Sequence, residues 1–179
     1  MNIRSFVSIP VPNAAGLEPL LRDLSFVRGV RQSPPAQLHI TLRFIGDLPE
    51  ERIDEVAACV NAAVNGRGKG RVMLKGIGVF PNARSPRIVW AGVETEIPLT
   101  VIADELSRRF DQAHIPYDHK PFQPHITVAR VEERPDLGPL LGKYRTTEFA
   151  SFICSSVLVM KSDLSSQGAS HTVLRACDL

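Results

Sequence analysis

Apolar and polar positions alternate along residues 2 to 10, NIRSFVSIP, which predicts a strand ended by Pro10 and Pro12. From Asn13, NAAGLEPLLRDL reads as a capped helix weakened by Gly16 and Pro19. Residues 38 to 46, beginning LHITLRF, predict a second strand. The period then lengthens in DLPEERIDEVAACVNAAV. There Ile53, Val56, Ala57, Val60 and Val64 form one stripe, with Asp47 as the expected cap and Pro49 and two Glu in the first turn. Residues 65 to 71, NGRGKGR, predict a flexible turn. Its Gly-Lys has no Ser or Thr after it and no Gly at the preceding spacing, so it is not a P-loop. VMLKGIGVF and RIVWAGVE predict two strands around the turn PNARSP. Residues 99 to 114 predict a helix with Val101, Ile102, Leu106 and Phe110 inward. A strand over 125 to 131, a short helix over 136 to 144, and two last strands in EFASFICSSVLVMKS and SHTVLRACDL complete the order.

This succession is α+β. It predicts two pseudo-symmetric lobes, each a small antiparallel sheet backed by helices, with an active-site cleft between them. No stretch is polar or long enough to act as a linker, so residues 1 to 179 are expected to form a single bilobal domain. A composition that is 44% apolar suffices for a proper core. The formal charge of +2 excludes the broad basic surface of a duplex-binding protein, so partners must be argued from local sites. Arg outnumbers Lys 16 to 5, which suits phosphate but also follows from a biased genome. Cys59, Cys154 and Cys177 lack CxxC spacing and read as reduced core thiols. Without an apolar run of spanning length or a signal segment, a cytoplasmic, monomeric protein with no membrane attachment is expected.

Candidate chemistry enters with a repetition. His39-Ile40-Thr41 and His125-Ile126-Thr127 use two of the five histidines on one tripeptide, in two segments both expected to be strands. Chance gives roughly one such coincidence in ten thousand, and strand-rich composition raises that by about tenfold or more, which the repeat still survives. In a strand, His and Thr share one face while Ile takes the other. Two such strands facing each other would gather two imidazoles and two hydroxyls. Imidazoles near neutral pH can act as base and acid at opposite ends of an in-line displacement, while hydroxyls hold equatorial phosphate oxygens. A zinc site built on the two histidines lacks a third ligand at suitable spacing, since Pro121 and Pro124 separate His125 from Asp118 and His119. No metal or other cofactor is expected.

At these residues the chain resembles the two-histidine phosphoesterase superfamily, and within it the RNA 2′,3′-cyclic phosphodiesterases once named 2′-5′ RNA ligases. FVSIPVP, PPAQLHITLRFIGDLPEERIDEV, GVFPNARSPRIVWAGVE, KPFQPHITVARV and VLVMKSDLSSQGASHTVLRACDL carry the likeness over nearly the whole chain. The resemblance implies metal-independent opening of a 2′,3′-cyclic phosphate on an RNA or nucleotide to a 2′-phosphomonoester, and in some members reversible 2′-5′ joining. It implies His39 as proton donor, His125 as proton acceptor, Thr41 and Thr127 as phosphate-holding groups, and Arg130 as a basic position after the second motif. A noncatalytic module that only grips RNA ends is the alternative.

Strand parity puts Arg43 on the front face with His39 and Thr41, whereas Arg130 reaches the His125 face only if its strand bulges. Phe44 falls on the apolar parity, and Phe122 lies in the loop before the second motif; both are candidates for substrate contact. Trp90 reads as core. His114 and His119 read as solvated, with His119, Lys120, Lys69 and Arg71 as candidate RNA-backbone contacts. Gln32 and His171 stand where relatives often carry Trp and Tyr, which implies a different base preference.

Overall fold

The computed structural model describes residues 1–166 and 168–179. Thirteen elements follow one another: β1 (Asn2–Pro10), α1 (Glu18–Ser25), β2 (Val30–Gln32), β3 (His39–Pro49), α2 (Ile53–Val64), β4 (Gly70–Phe80), β5 (Ile88–Thr95), α3 (Leu99–Gln112), β6 (His125–Val131), α4 (Gly138–Lys143), β7 (Glu148–Cys154), β8 (Ser156–Ser165) and β9 (Gly168–Asp178). The strands form a sheet in the order β7-β4-β5-β6-β3-β1-β8-β9, with β2 added to β6, and all pairs are antiparallel. β3 and β6, the two motif strands, are central neighbours, so the sheet divides into a five-stranded half (β7, β4, β5, β6 and β2) and a four-stranded half (β3, β1, β8 and β9) that meet at the motifs. The expected two-lobed α+β architecture is what the chain adopts.

Helices cover one face. α2 packs on α3, β8 and β9, and α3 on β3, while α1 lies against β2. The apolar stripe read from α2 is buried in full, as are Ile102, Leu106 and Phe110 of α3. Val101 is not inward; it is 48% exposed, because the stripe of α3 runs through Leu99, Ile102, Ala103 and Leu106. On the other half, α1 and α4 are tied by Asp23, which accepts bonds from Lys143 Nζ at 2.5 Å and Tyr144 Oη at 2.8 Å.

Several boundaries differ from the sequence reading. Asn13 is not the N-cap residue, which is Ala14, but its side chain accepts from Ala15 N at 2.9 Å, the first residue of a 3-10 turn (Ala15–Leu17) that runs into α1 at Glu18, with Pro19 in the first turn of α1. Asp47 does not cap α2 because β3 continues to Pro49, held against Asn2 of β1. The three-residue β2 is absent from the sequence reading; it is too short for periodicity to reveal. EFASFICSSVLVMKS is two strands. β7 ends at Cys154 and β8 starts at Ser156, at nearly opposite ends of the sheet order. One residue spans only about 3.8 Å, so the sheet must curl until those ends meet.

The pairing of β3 with β6 rests on Ile40 opposite Ile126, both fully buried. Ile126→Ala would leave a cavity at the seam of the two halves. The expected cost is about 2–5 kcal/mol, read from urea unfolding at unchanged slope. A loss below about 1 kcal/mol would show that the seam is not a packed part of the core.

Candidate active site

Because Ile40 and Ile126 point to the helix-covered face, His39, Thr41, His125 and Thr127 point to the open one. One step from the Ile pair in an antiparallel register, Thr41 comes opposite His125 and His39 opposite Thr127. The four side chains are therefore gathered around a local pseudo-twofold axis, as alternation alone implied.

Each imidazole is fixed in the same way. His39 Nδ1 lies 2.7 Å from the Gln37 carbonyl, and His125 Nδ1 lies 2.6 Å from the Gln123 carbonyl. A carbonyl can only accept, so Nδ1 carries the proton in both rings and Nε2 is left without that bond. Aromatic walls complete the setting. His39 packs on Phe6 at 4.9 Å and meets His171 edge-on at 5.1 Å and 82°, while His125 meets Phe80 edge-on at 5.2 Å and 90°. Burial holds the His39 pKa below the usual 6.5; repulsion from His171 and His125 acts in the same direction, and the bond to the Gln37 carbonyl opposes it. His171 is also lowered by burial.

Immediately after each Thr, the register slips by one residue. Val7 and Ser8 of β1 face Arg43 and Thr41, leaving Leu42 extra; Val89 and Trp90 of β5 face Ala129 and Thr127, leaving Val128 extra. Each slip reverses the parity of the residues beyond it. Arg43 is thus turned to the helix side, contrary to the front-face expectation. It is 8% exposed, with Nε donating to Ser107 Oγ at 2.7 Å, Nη1 donating to the Lys120 carbonyl at 3.2 Å, and Asp104 at 3.7 Å. Phe44, expected in the core, is turned to the open face, with the Arg4 guanidinium 4.6 Å from its ring centroid. Arg130 reaches the His125 face by the bulge its position required.

A cavity of about 600 Å³ lies beside His125 and Thr41, lined also by Phe44, Phe80, Arg87 and Phe122. Phe122 and Phe44 thus both line this cavity. Trp90 is half-buried on the open face rather than in the core. It lies on Gly78, where a Cβ would come within 2.1 Å of the indole ring. Gln32 sits in β2 opposite Ala129. Of the more distant basic candidates, His119 packs on Tyr117 and Arg71 pairs with Glu96, while Lys120 lines the cavity. His114 lies just beyond α3, with φ of 51°. Among the described residues, no group of three or more His, Cys, Asp or Glu is placed to hold a metal ion, and no helix is long and apolar enough to cross a membrane.

Sequence reasoning missed Phe6, Phe80 and the two glutamine carbonyls, and it noted His171 without placing it. The glutamines had a visible signal, since both motifs read Q-x-H-I-T. Phe6, Phe80 and His171 arrive on strands remote in sequence, so no spacing could reveal them.

Two imidazoles with matched tautomers and two hydroxyls are thus gathered around one axis. The chain belongs to the 2′-5′ RNA ligase superfamily, which matches it over residues 19–165. It is 31% identical to an RNA 2′,3′-cyclic phosphodiesterase of Archaeoglobus fulgidus over 97% of this chain and 98% of that one. A protein of the same description from Aquifex aeolicus is 36% identical over 78% of this chain and 77% of its own. A solved structure from Thermus thermophilus superposes with a TM-score of 0.85 at 28% identity, covering 99% and 98% of the two chains. The fold is also that of E. coli LigT complexed with 3′-AMP, at a TM-score of 0.75 and 19% identity over 100% and 99%.

Nitrogen-15 NMR of the free protein should find both neutral motif imidazoles as the Nδ1–H tautomer. His39 should titrate below 6.5, because burial penalises its charged form. A midpoint at or above 6.5 would contradict the buried setting described for that ring.

Proposed function

We propose that this protein is a metal-independent RNA 2′,3′-cyclic phosphodiesterase that opens the cyclic phosphate to a 2′-phosphomonoester. The observation that carries the proposal is the pseudo-twofold placement of two histidines whose Nε2 atoms are both left free by the Gln37 and Gln123 carbonyls. The descriptions of the relatives from Archaeoglobus fulgidus and Aquifex aeolicus support the same reaction.

In this reading the phosphate sits between the two motifs. His125 Nε2 takes a proton from water as the water oxygen bonds to phosphorus. On the far side, the bond from phosphorus to O3′ breaks, and His39 Nε2 gives its proton to O3′. The assignment of donor and acceptor follows the family positions, since the symmetry itself is indifferent to it. Thr41 and Thr127 donate to the equatorial oxygens, whose charge rises in the transition state. Each turnover leaves His125 charged and His39 neutral, and exchange with solvent restores them. The hydrolysed bond needs no electrophile beyond these donors.

A second reading adds 2′-5′ joining. The cavity beside His125 has the volume of a small-molecule site and is walled by Phe44, Phe80 and Phe122. A nucleoside seated there would present its 5′-hydroxyl where water otherwise stands, and phosphorus would transfer to O5′ instead. A protein that only gripped RNA ends would have no use for two free Nε2 atoms on opposite sides of one phosphate. The protein is proposed to act as a single bilobal domain, as a cytoplasmic monomer.

His39→Ala and His125→Ala should each reduce kcat about 10²- to 10⁴-fold on a 2′,3′-cyclic nucleotide without loss of fold, and EDTA should leave the wild type active. Phosphorus NMR should identify the product as the 2′-monoester. Binding without turnover would sink the enzymatic reading, and zinc-dependent recovery after EDTA would sink the metal-free one. The pH profile carries the sign of the His39 shift. His39 must be protonated to act as donor, and its protonated fraction falls as pH rises through a lowered pKa. The kcat/KM profile should therefore be bell-shaped with a low plateau, because only a minor fraction of the free enzyme carries charged His39 near neutral pH, whereas kcat gains from bound phosphate, which favours the charged ring.

A further inference from the structure

The bulge that turns Arg43 away from the open face buries its guanidinium between two other parts of the chain. Nε donates to Ser107 Oγ of α3 at 2.7 Å, and Nη1 donates to the Lys120 carbonyl at 3.2 Å, in the loop that leads to the second motif. The Asp104 carboxylate, 3.7 Å from Nη2, is 71% exposed, so solvent screens most of its attraction. Burying a guanidinium with so little compensation is costly. Four residues after His125, the twin position holds Ala129, which is buried and carries no donor in its side chain. Packing at this place therefore needs no charge, and the use of Arg43 lies in what it holds.

It holds the segment that sets up His125. Asp118 N, on the Phe44 carbonyl at 2.8 Å, is the last backbone anchor before that segment. Beyond it, among the described residues, the Arg43 bond is the one hydrogen bond joining residues 119–124 to β3 or α3. Pro121 and Pro124 fix two φ angles in this stretch, so an anchor at Lys120 is carried along to Phe122 and Gln123. Phe122 walls the cavity, and the Gln123 carbonyl lies 2.6 Å from His125 Nδ1. Gln37, which serves His39 in the same way, is held instead by local bonds. Gln37 N donates to the Pro34 carbonyl at 2.9 Å and Leu38 N to the Pro35 carbonyl at 3.3 Å. The Arg43 clamp thus acts on one histidine and not on the other.

We propose that Arg43 is a positioning residue for His125: from the first motif strand it holds residues 120–123, so that the Gln123 carbonyl keeps the His125 proton on Nδ1 and leaves Nε2 to accept one. Its effect on rate rests on the cyclic phosphodiesterase reading of the site, whereas its effect on the tautomer does not.

The test is nitrogen-15 NMR of the free protein at about pH 8, where imidazoles are neutral, with His39 as the reference in the same spectrum. In Arg43→Met, His125 should populate the Nε2–H tautomer while His39 keeps Nδ1–H. On adenosine 2′,3′-cyclic phosphate, kcat should fall about tenfold at unchanged KM, which is the scale of one charged hydrogen bond. Arg43→Lys keeps the charge but lacks the fork, so it should show smaller changes of the same sign in both measurements. Ser107→Ala removes the other partner and leaves the Lys120 bond; it should lower the urea midpoint without moving the His125 tautomer or kcat. An unaltered His125 tautomer in Arg43→Met would overturn the proposal, and so would equal shifts in both histidines or the same shift in Ser107→Ala. If Arg43→Met does not fold, Arg43→Lys decides: a shift at His125 alone supports the proposal, and none overturns it. Wild-type inactivity on the cyclic nucleotide would bring down the cyclic phosphodiesterase reading alone, because the tautomer is read without substrate.

Discussion

The pairing of Ile40 with Ile126 is the constraint on which the site depends. It is a single antiparallel contact between two long strands, and it is the seam at which the two halves of the sheet meet. Its burial has two consequences from one cause. The hydrophobic effect drives both isoleucines to the helix side, and the alternation of a strand then drives the residues before and after each one to the open side. A slip of one residue in either strand would send one His-Thr pair into the core, where an imidazole and a hydroxyl without partners are costly. The apolar residue between the polar ones thus sets the register that assembles them.

Past the seam the strands separate, and the space is filled by the loops that precede the motifs. Asp118 N donates to the Phe44 carbonyl and Ser33 N to the Val128 carbonyl, each at 2.8 Å, so each half mends the edge left open by the other. The extra residues Leu42 and Val128 sit at this divergence. A bulge bends its strand and increases twist, which is what two strands need if they are to touch at one place and part elsewhere. The exchange of Arg43 and Phe44 between faces is a side effect of that bend, and so is the arrival of Arg130 beside the site. The pseudo-symmetry is therefore strict at the tripeptides and broken within three residues of them.

Much of this is legible in the order of residues. Long periodic segments such as β1, α2 and β6 can be read directly, because a buried stripe or face leaves a repeating mark on the sequence. Failures fall where no period can form. β2 has three residues, the break at Ser155 has no glycine or proline to announce it, and Asp47 looks like a helix cap because the strand before it runs on to pair with Asn2. Arg43, Phe44 and Trp90 are misplaced for one reason: parity counts assume an unbroken ladder, and a one-residue bulge or a partnering glycine such as Gly78 changes which face is deep.

The sequence by itself determined which groups share a face. His-Ile-Thr, once in a strand, has one polar side and one apolar side whatever surrounds it, since that comes from backbone geometry alone. Tertiary structure decided that the two faces meet, which ring nitrogen each histidine leaves free, and which neighbours tune it. The Gln37 and Gln123 carbonyls act through loop conformation, and Phe6, Phe80 and His171 act from strands that reach the histidines only after the sheet has curled. Contacts of that kind depend on register between distant segments, and register is a property of the folded sheet rather than of any one strand.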